Sequence, residues 1–184
     1  FQLGMYHIWS GFDHLLFVLG LLLLVKKRSK LVWTITAFTI AHSITLALAT
    51  LHIIQVPGSF TEAAIALSIV FLAVELLRHY KGMNGFAFHY PWLVSFLFGL
   101  LHGLGFASAL QDVGLPENNI PLALLLFNAG VELGQLAFVL VILLLMAGIK
   151  RLYFRFPNWL YKMPAYVIGT LAMYWFIERA VTIF

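Results

Sequence analysis

His7-Ile-Trp-Ser-Gly-Phe-Asp-His-Leu-Leu-Phe17 sets His7, Asp13 and His14 at the mouth of an apolar run that ends near Val25. Ionisable side chains on a segment that hydrophobic are expensive in lipid and mark a functional site by default. The same anomaly recurs at His42, His102 and Glu132, each inside another apolar run. The chain therefore reads as a membrane protein with a polar, metal-binding centre.

Composition supports this. Hydrophobic residues make up 62% of the 184 positions and charged ones 10%, against about 25% charged in soluble domains. Mean hydropathy is +0.98. One bilayer crossing takes about 20 residues, and the apolar runs fall at 4–25, 31–54, 62–77, 91–110, 121–147 and 164–183. They predict an all-α, polytopic bundle of six transmembrane helices forming a single domain. Apolar character on every side argues against soluble helices, and the absence of period-2 alternation argues against a barrel. Pro57-Gly58-Ser59 marks a turn, Pro91 suits the first turn of a helix, and the five tryptophans lie mostly near run ends, as an interfacial belt places them.

Lysine and arginine are distributed unevenly. Lys26, Lys27, Arg28 and Lys30 follow the first run, Arg78 and Lys81 the third, and Lys150, Arg151, Arg155 and Lys162 the fifth; the opposite side has Arg179. The positive-inside rule makes the basic loops cytoplasmic and both termini external. Topology thus accounts for the net charge of +4, and no nucleic-acid partner is expected. With no cysteine, thiolate ligands and disulfides are excluded. No Gly-x-x-x-x-Gly-Lys-Ser/Thr motif is present, so transport would be passive, driven by membrane potential or coupled to a partner. Phe1 in place of methionine predicts a processed product or a fragment.

At about 1.5 Å per residue, His14, His42, His102 and Glu132 fall within one or two turns of a common depth. His7, Gly11 and His14 share a helical face; Asp13 points elsewhere and is expected to orient a histidine or meet the adjacent span. Asn128, Glu132 and Gln135 share a face of the fifth run, while Gly130 and Gly134 lie on another. Gly99 and Gly103 flank His102, and both Gly-x-x-x-Gly pairs allow close helix approach. Imidazole suits nickel, cobalt, zinc and copper(II), and carboxylate completes such a shell. The candidate ligands are His7, Asp13, His14, His42, His102 and Glu132, with Ser43, Asn128 and Gln135 behind them to hold second nitrogens and ligand oxygens in place. The competing reading makes His7 an interfacial residue and each other histidine a packing residue. His52, His79 and His89 lie at run ends and read as solvated. Glu62 suits the first turn of its helix, Glu75 a local ion pair with Arg78 or His79, and Arg179 the interface.

Four stretches together resemble the HupE/UreJ family of bacterial membrane proteins: the opening segment 7–17, Thr36-Ala-Phe-Thr-Ile-Ala-His-Ser-Ile-Thr-Leu46, Gly99-Leu-Leu-His-Gly-Leu-Gly-Phe-Ala-Ser-Ala-Leu110 and Phe127-Asn-Ala-Gly-Val-Glu-Leu-Gly-Gln-Leu-Ala-Phe138. His7, Asp13 and His14 match the first motif, His42 the second, His102 the third, and Asn128 and Glu132 the fourth. The resemblance implies a nickel or cobalt permease of the bacterial inner (cytoplasmic) membrane, linked in many members to hydrogenase or urease maturation. Relatives of the branch it looks closest to often carry an outer domain ahead of the first motif.

Three functional expectations follow. The first is a permease for a divalent transition metal, nickel or cobalt, with zinc as a further candidate; its partners are the lipid bilayer and the ion, with a homo-oligomer or a metalloenzyme-maturation partner left open. The second is a membrane-embedded zinc-dependent hydrolase, three histidines holding the ion, Glu132 or Asp13 acting on its water and Ser43 adding a hydroxyl. The third is a scaffold whose polar groups lock helices by bonding to one another.

Overall fold

The computed structural model describes residues 1–113, 119–151, 157 and 159–183, the side chains of 107–113 and 150 excepted. Residues 114–118, with Gly114 and Pro116 of the expected acidic connection, and 152–156 and 158 of the basic one lie outside the described residues. The described chain is helical without strands: α1 Gln2–Ser10, α2 Phe12–Leu24, α3 Arg28–Thr50, α4 Gly58–Tyr80, α5 Phe86–His89, α6 Pro91–Val113, α7 Ile120–Arg151 and α8 Met163–Val181. The helices extend the predicted runs by a few residues at most ends; α2 stops at Leu24, short of 25, α3 at Thr50, short of 54, and α8 at Val181, short of 183.

Among the described residues three helices are long and apolar enough to cross a membrane: Arg28–Thr50, Gly58–Tyr80 and Ile120–Ile149. The first expected span departs from the reading of a single helix. It is two helices, α1 and α2, bent by 79°, which together make a fourth crossing if taken as one broken span. The break falls at Gly11, whose backbone is extended (φ −84°, ψ 93°). A Cβ there would sit 2.8 Å from His14 Nδ1 and 2.9 Å from the His7 carbonyl oxygen. Only glycine lets the two histidine-bearing turns close on each other. Asp13 in the first turn of α2 then suits the new helix's positive end.

Lipid tails are as apolar as leucine, so helix association here rests on close packing rather than on hydrophobic transfer. Glycine supplies it. On α6, a Cβ on Gly99 would strike the Phe38 carbonyl and one on Gly103 the His42 carbonyl and Thr45 Oγ1, so α3 and α6 lie backbone against backbone along most of their length. On α7, Gly130 meets the Phe1 carbonyl and Gly134 meets Ile8, while Gly4 of α1 meets the Phe127 carbonyl. The second Gly-x-x-x-Gly pair thus seats α1. Phe17, Phe38, Leu72 and Leu76 centre the main core between α2, α3 and α4, with Val94 of α6 and Ile168 of α8 closing it; Ile8, Leu46, Phe127 and Val131 form a smaller cluster under α1. α7 is the most peripheral of the long helices, with 17% of its apolar window buried against 56% for α4.

Helices α3 and α4 end alike. Ile53 N–H bonds the Leu48 carbonyl and His52 N–H the Ala49 carbonyl; Met83 and Gly82 repeat the pattern on Arg78 and His79. Both are Schellman caps, with a left-handed residue just past the helix. Gly82 (φ 79°) fills that position after α4, and His52 (φ 57°) fills it after α3. Glu75, expected as a local ion pair, is buried: it accepts from Arg78 Nη1 at 3.2 Å and also from Ala87 N–H at 2.8 Å, tying α5 to α4. Glu62 lies one turn deeper than the sequence suggests, because α4 starts at Gly58.

Candidate metal centre

Four histidines from four helices meet beside the Gly11 break. His7 comes from the end of α1, His14 from the first turn of α2, His42 from α3 and His102 from α6. Ring centroids of His7 and His14 are 4.6 Å apart, of His14 and His102 4.8 Å, and of His7 and His42 6.0 Å. His7, His14 and His42 each offer a ligand atom within 4.8 Å of the others'. With metal–nitrogen bonds of about 2.0–2.1 Å, two nitrogens on one ion are at most about 4.2 Å apart. A modest inward movement of the rings therefore brings these three onto a single ion, with His102 on the far side of His14.

The hydrogen bonds fix which nitrogen faces the centre. Asp13 Oδ1 accepts from His14 Nδ1 at 2.9 Å and from the His14 backbone N–H at 2.8 Å. Asn128 Oδ1 lies 3.1 Å from His42 Nδ1, and its amide nitrogen donates to the Leu124 carbonyl at 2.8 Å, which sets the amide's orientation. The Phe98 carbonyl, one turn back on α6, lies 2.7 Å from His102 Nδ1. A carbonyl and a carboxylate only accept, so in the neutral rings each Nδ1 carries the proton and each Nε2 a lone pair. Among the described residues, the Nε2 atoms of His7, His14, His42 and His102 are all buried and without a hydrogen-bond partner. Buried polar atoms are normally satisfied. His14 and His42 thus hold out bare Nε2 lone pairs beside His7, with that of His102 adjacent, a donor set of the kind that suits a divalent transition-metal cation, and Asp13 behind His14 is the carboxylate–histidine arrangement seen behind metal ligands.

The remaining expected residues sit elsewhere. Asp13 orients His14, one of the two roles its position suggested. Glu132 of α7 faces α3 and accepts from Thr36 Oγ1 at 2.6 Å, outside the three-histidine group. Gln135 Oε1 accepts from Thr39 Oγ1 at 3.3 Å. Ser43 Oγ donates to the Thr39 carbonyl at 2.6 Å, back along its own helix, and holds no histidine. Thr39, Ser43, Asn128 and Glu132 line a cavity of about 530 Å³ between α3 and α7. Asn128 reaches from that cavity to His42, so the two compartments share a wall.

A second cavity, about 260 Å³, opens onto the histidines and is lined by His7, Asp13, His14 and His102 together with Glu62 and Arg179. Sequence reasoning missed Thr36 and Thr39 as partners of α7 and Glu62 and Arg179 as lining. The threonines were findable, since Thr36, Thr39 and Ser43 recur at i, i+3 and i+7 opposite Asn128, Glu132 and Gln135. The pair at the cavity mouth comes from segments far apart in the chain and carries no local signal.

No curated protein and no solved structure matches the chain. The sequence model of one family, described as HupE / UreJ protein, matches residues 1–179, from the first histidine helix through Arg179. With that match spanning nearly the whole chain and all four histidine motifs, this membrane protein belongs to the HupE/UreJ family.

Proposed function

We propose that the chain is a permease for divalent transition-metal cations of the nickel or cobalt type, spanning a bacterial inner membrane six times with both ends outside. The bent pair α1–α2, with α3, α4, α6, α7 and α8, makes up the six, and the basic loops lie in the cytoplasm. One observation carries the reading: His7, His14 and His42 bring ligand atoms within 4.8 Å of one another, with His102 beside His14, and the Nε2 atom of each of the four is buried and unpartnered, three of the rings having Nδ1 held by an acceptor. The cation is cargo. It enters through the cavity beside His7 and Asp13, is held by His7, His14 and His42 with His102 adjacent, and leaves past Asn128 toward Glu132 on the α3–α7 seam. That seam runs toward the basic end of α3, the cytoplasmic side in this topology.

A helix-locking scaffold accounts for the bonds from His42 to Asn128, Thr36 to Glu132 and Thr39 to Gln135, but it leaves four buried Nε2 atoms without a use. A hydrolase needs a free acid–base group beside the metal; Asp13 is engaged by His14 and Glu132 by Thr36. Conduction requires sites weak enough to release the ion, which neutral imidazole and carboxylate satisfy better than thiolate. Uptake of nickel(II) and cobalt(II) by cells expressing the chain tests the reading. His42→Ala removes one of the three grouped ligands, and uptake equal to that of the unsubstituted protein would overturn it.

A further inference from the structure

The cavity that leads to the histidines has a charged lip. Glu62, in the first turns of α4, and Arg179, near the end of α8, line it together with His7, Asp13, His14 and His102. Arg179 is held from three directions. Its Nη1 donates to the Glu62 backbone carbonyl at 3.1 Å, its Nε lies 3.6 Å from Glu62 Oε2, and its guanidinium carbon sits 5.8 Å from the Trp175 ring centroid. The 3.6 Å contact is too long for a hydrogen bond. The carbonyl supplies the hydrogen bond, while the carboxylate pairs with Arg179 by charge alone and keeps its oxygens available to another cation. Glu62 is also the more exposed of the two, its side chain 54% accessible against 24% for Arg179. Every other lysine and arginine follows the first, third or fifth apolar run, so in the proposed topology Arg179 is the lysine or arginine of the outer side.

We propose that Glu62 and Arg179 form a charge-exchange lip at the mouth of the histidine cavity, in which an arriving divalent cation takes the Glu62 carboxylate from Arg179 before passing to the imidazoles. The inference rests on the permease reading above. No covalent step is involved: one carboxylate exchanges a guanidinium neighbour for a hydrated ion, and Arg179 stays on the Glu62 carbonyl and the Trp175 ring. Arg179 then sets the entry barrier and Glu62 the first point of capture. A charge on the wall of a narrow cavity acts on the rate of cation entry and is screened by salt. A mere clasp between α4 and α8 would instead act on stability.

The experiment measures initial rates of nickel(II) uptake into proteoliposomes containing the purified full chain, over a range of nickel concentrations, at low and high sodium chloride. Arg179→Gln is expected to lower KM roughly three- to tenfold at low salt, with the difference shrinking at high salt. Glu62→Gln, which keeps the backbone carbonyl that Arg179 bonds, is expected to raise KM by a similar factor. Arg179→Lys keeps the charge and should stay near the unsubstituted protein. A KM unchanged in both Arg179→Gln and Glu62→Gln, or effects confined to the amount of folded protein, would overturn the lip while leaving the permease reading intact, provided His42→Ala abolishes uptake. Uptake indifferent to His42→Ala would overturn the permease reading itself.

Discussion

Replacing Asp13 by asparagine keeps the size and shape of the side chain and removes its charge. In the structure Asp13 Oδ1 accepts two bonds from one residue, the His14 backbone N–H at 2.8 Å and the ring Nδ1 at 2.9 Å. An asparagine oxygen accepts both, so the ring keeps its place and its tautomer. What is lost is the charge assistance. A hydrogen bond to a charged group contributes about 1.5–3 kcal/mol against roughly 0.5–1.5 for a neutral one, so the ring loses on the order of 1–1.5 kcal/mol of support. The negative charge that makes Nε2 a better donor to a cation is lost as well. Partners of this kind behind a metal ligand typically contribute 10–100-fold in affinity, about 1.4–2.7 kcal/mol, and Asp13→Asn is expected to weaken nickel(II) binding by that factor. Calorimetric titration of the purified protein in detergent measures it. The sharper test is a double-mutant cycle. If Asp13 acts through His14, then Asp13→Asn in a His14→Ala background changes the affinity less than twofold, because the ring it supports is gone. A full tenfold loss in that background would refute the reasoning and make Asp13 a ligand in its own right. So would an affinity within twofold of the original for Asp13→Asn alone.

Gly103→Val is expected to destabilise the protein by several kcal/mol, because its Cβ would collide with the His42 carbonyl and Thr45 Oγ1; a fall of many degrees in thermal unfolding midpoint checks it, and an unchanged midpoint would mean α3 and α6 are further apart than described. Glu132→Ala removes a carboxylate outside the three-histidine group, so nickel(II) affinity should stay within about threefold while the uptake rate falls at least tenfold if the α3–α7 seam is the exit; comparing binding with transport in the same preparation separates the two effects. His52→Gly relieves a left-handed residue at the α3 cap (φ 57°) and should raise stability by about 1 kcal/mol, whereas Gly82→Ala at the matching α4 position (φ 79°) should lower it by a similar amount. Thermal unfolding of both variants should move in opposite directions.

Convergence of the histidines was legible because depth in a membrane helix follows from counting. His14, His42 and His102 each lie well inside an apolar run, and a common depth is most of what a shared site needs. Azimuth was harder. Asn128 and Glu132 are one turn apart on α7, yet the first reaches His42 and the second meets Thr36. The spacing placed both on one face but held nothing about the neighbour each would meet. The bend at Gly11 was missed because glycine is tolerated in membrane helices, and an uninterrupted apolar run hides a break. A cue was present nonetheless: Ser10-Gly11 followed two residues later by Asp13 is a stop followed by a helix start. Glu62, Arg179 and the Glu75–Ala87 tie depend on which helices become neighbours, and no local pattern encodes that. The glycine pairs show the reverse case. Close approach at Gly99 and Gly103 and at Gly130 and Gly134 was readable from residue size alone, and the structure supplied only the partners, α3 and α1.

How an ion leaves such a site is a question about which ligand can move. His14, His42 and His102 have Nδ1 held by a carboxylate, an amide and a carbonyl, each on a helix in the body of the bundle. Among the described residues no acceptor holds the Nδ1 of His7. Its helix, α1, is nine residues long, is set off by the 79° bend, and rests chiefly on α7 through Gly4, Gly130 and Gly134. Contacts between small residues are close but narrow, and they resist tilting less than interlocked large side chains do. In a resident zinc site each ligating histidine normally has its other ring nitrogen held by an acceptor. Here three donors are anchored and the fourth sits on a short helix held chiefly by one neighbour, next to the cavity that opens on the histidines. Pinning α1 to α7 with a disulfide between Ile8→Cys and Gly134→Cys, whose Cβ atoms would lie 3.3 Å apart, close to disulfide spacing, should therefore leave nickel(II) bound and slow its passage, with reduction restoring the rate. Transport at the same rate in the oxidised and reduced forms would show that release does not need α1 to move.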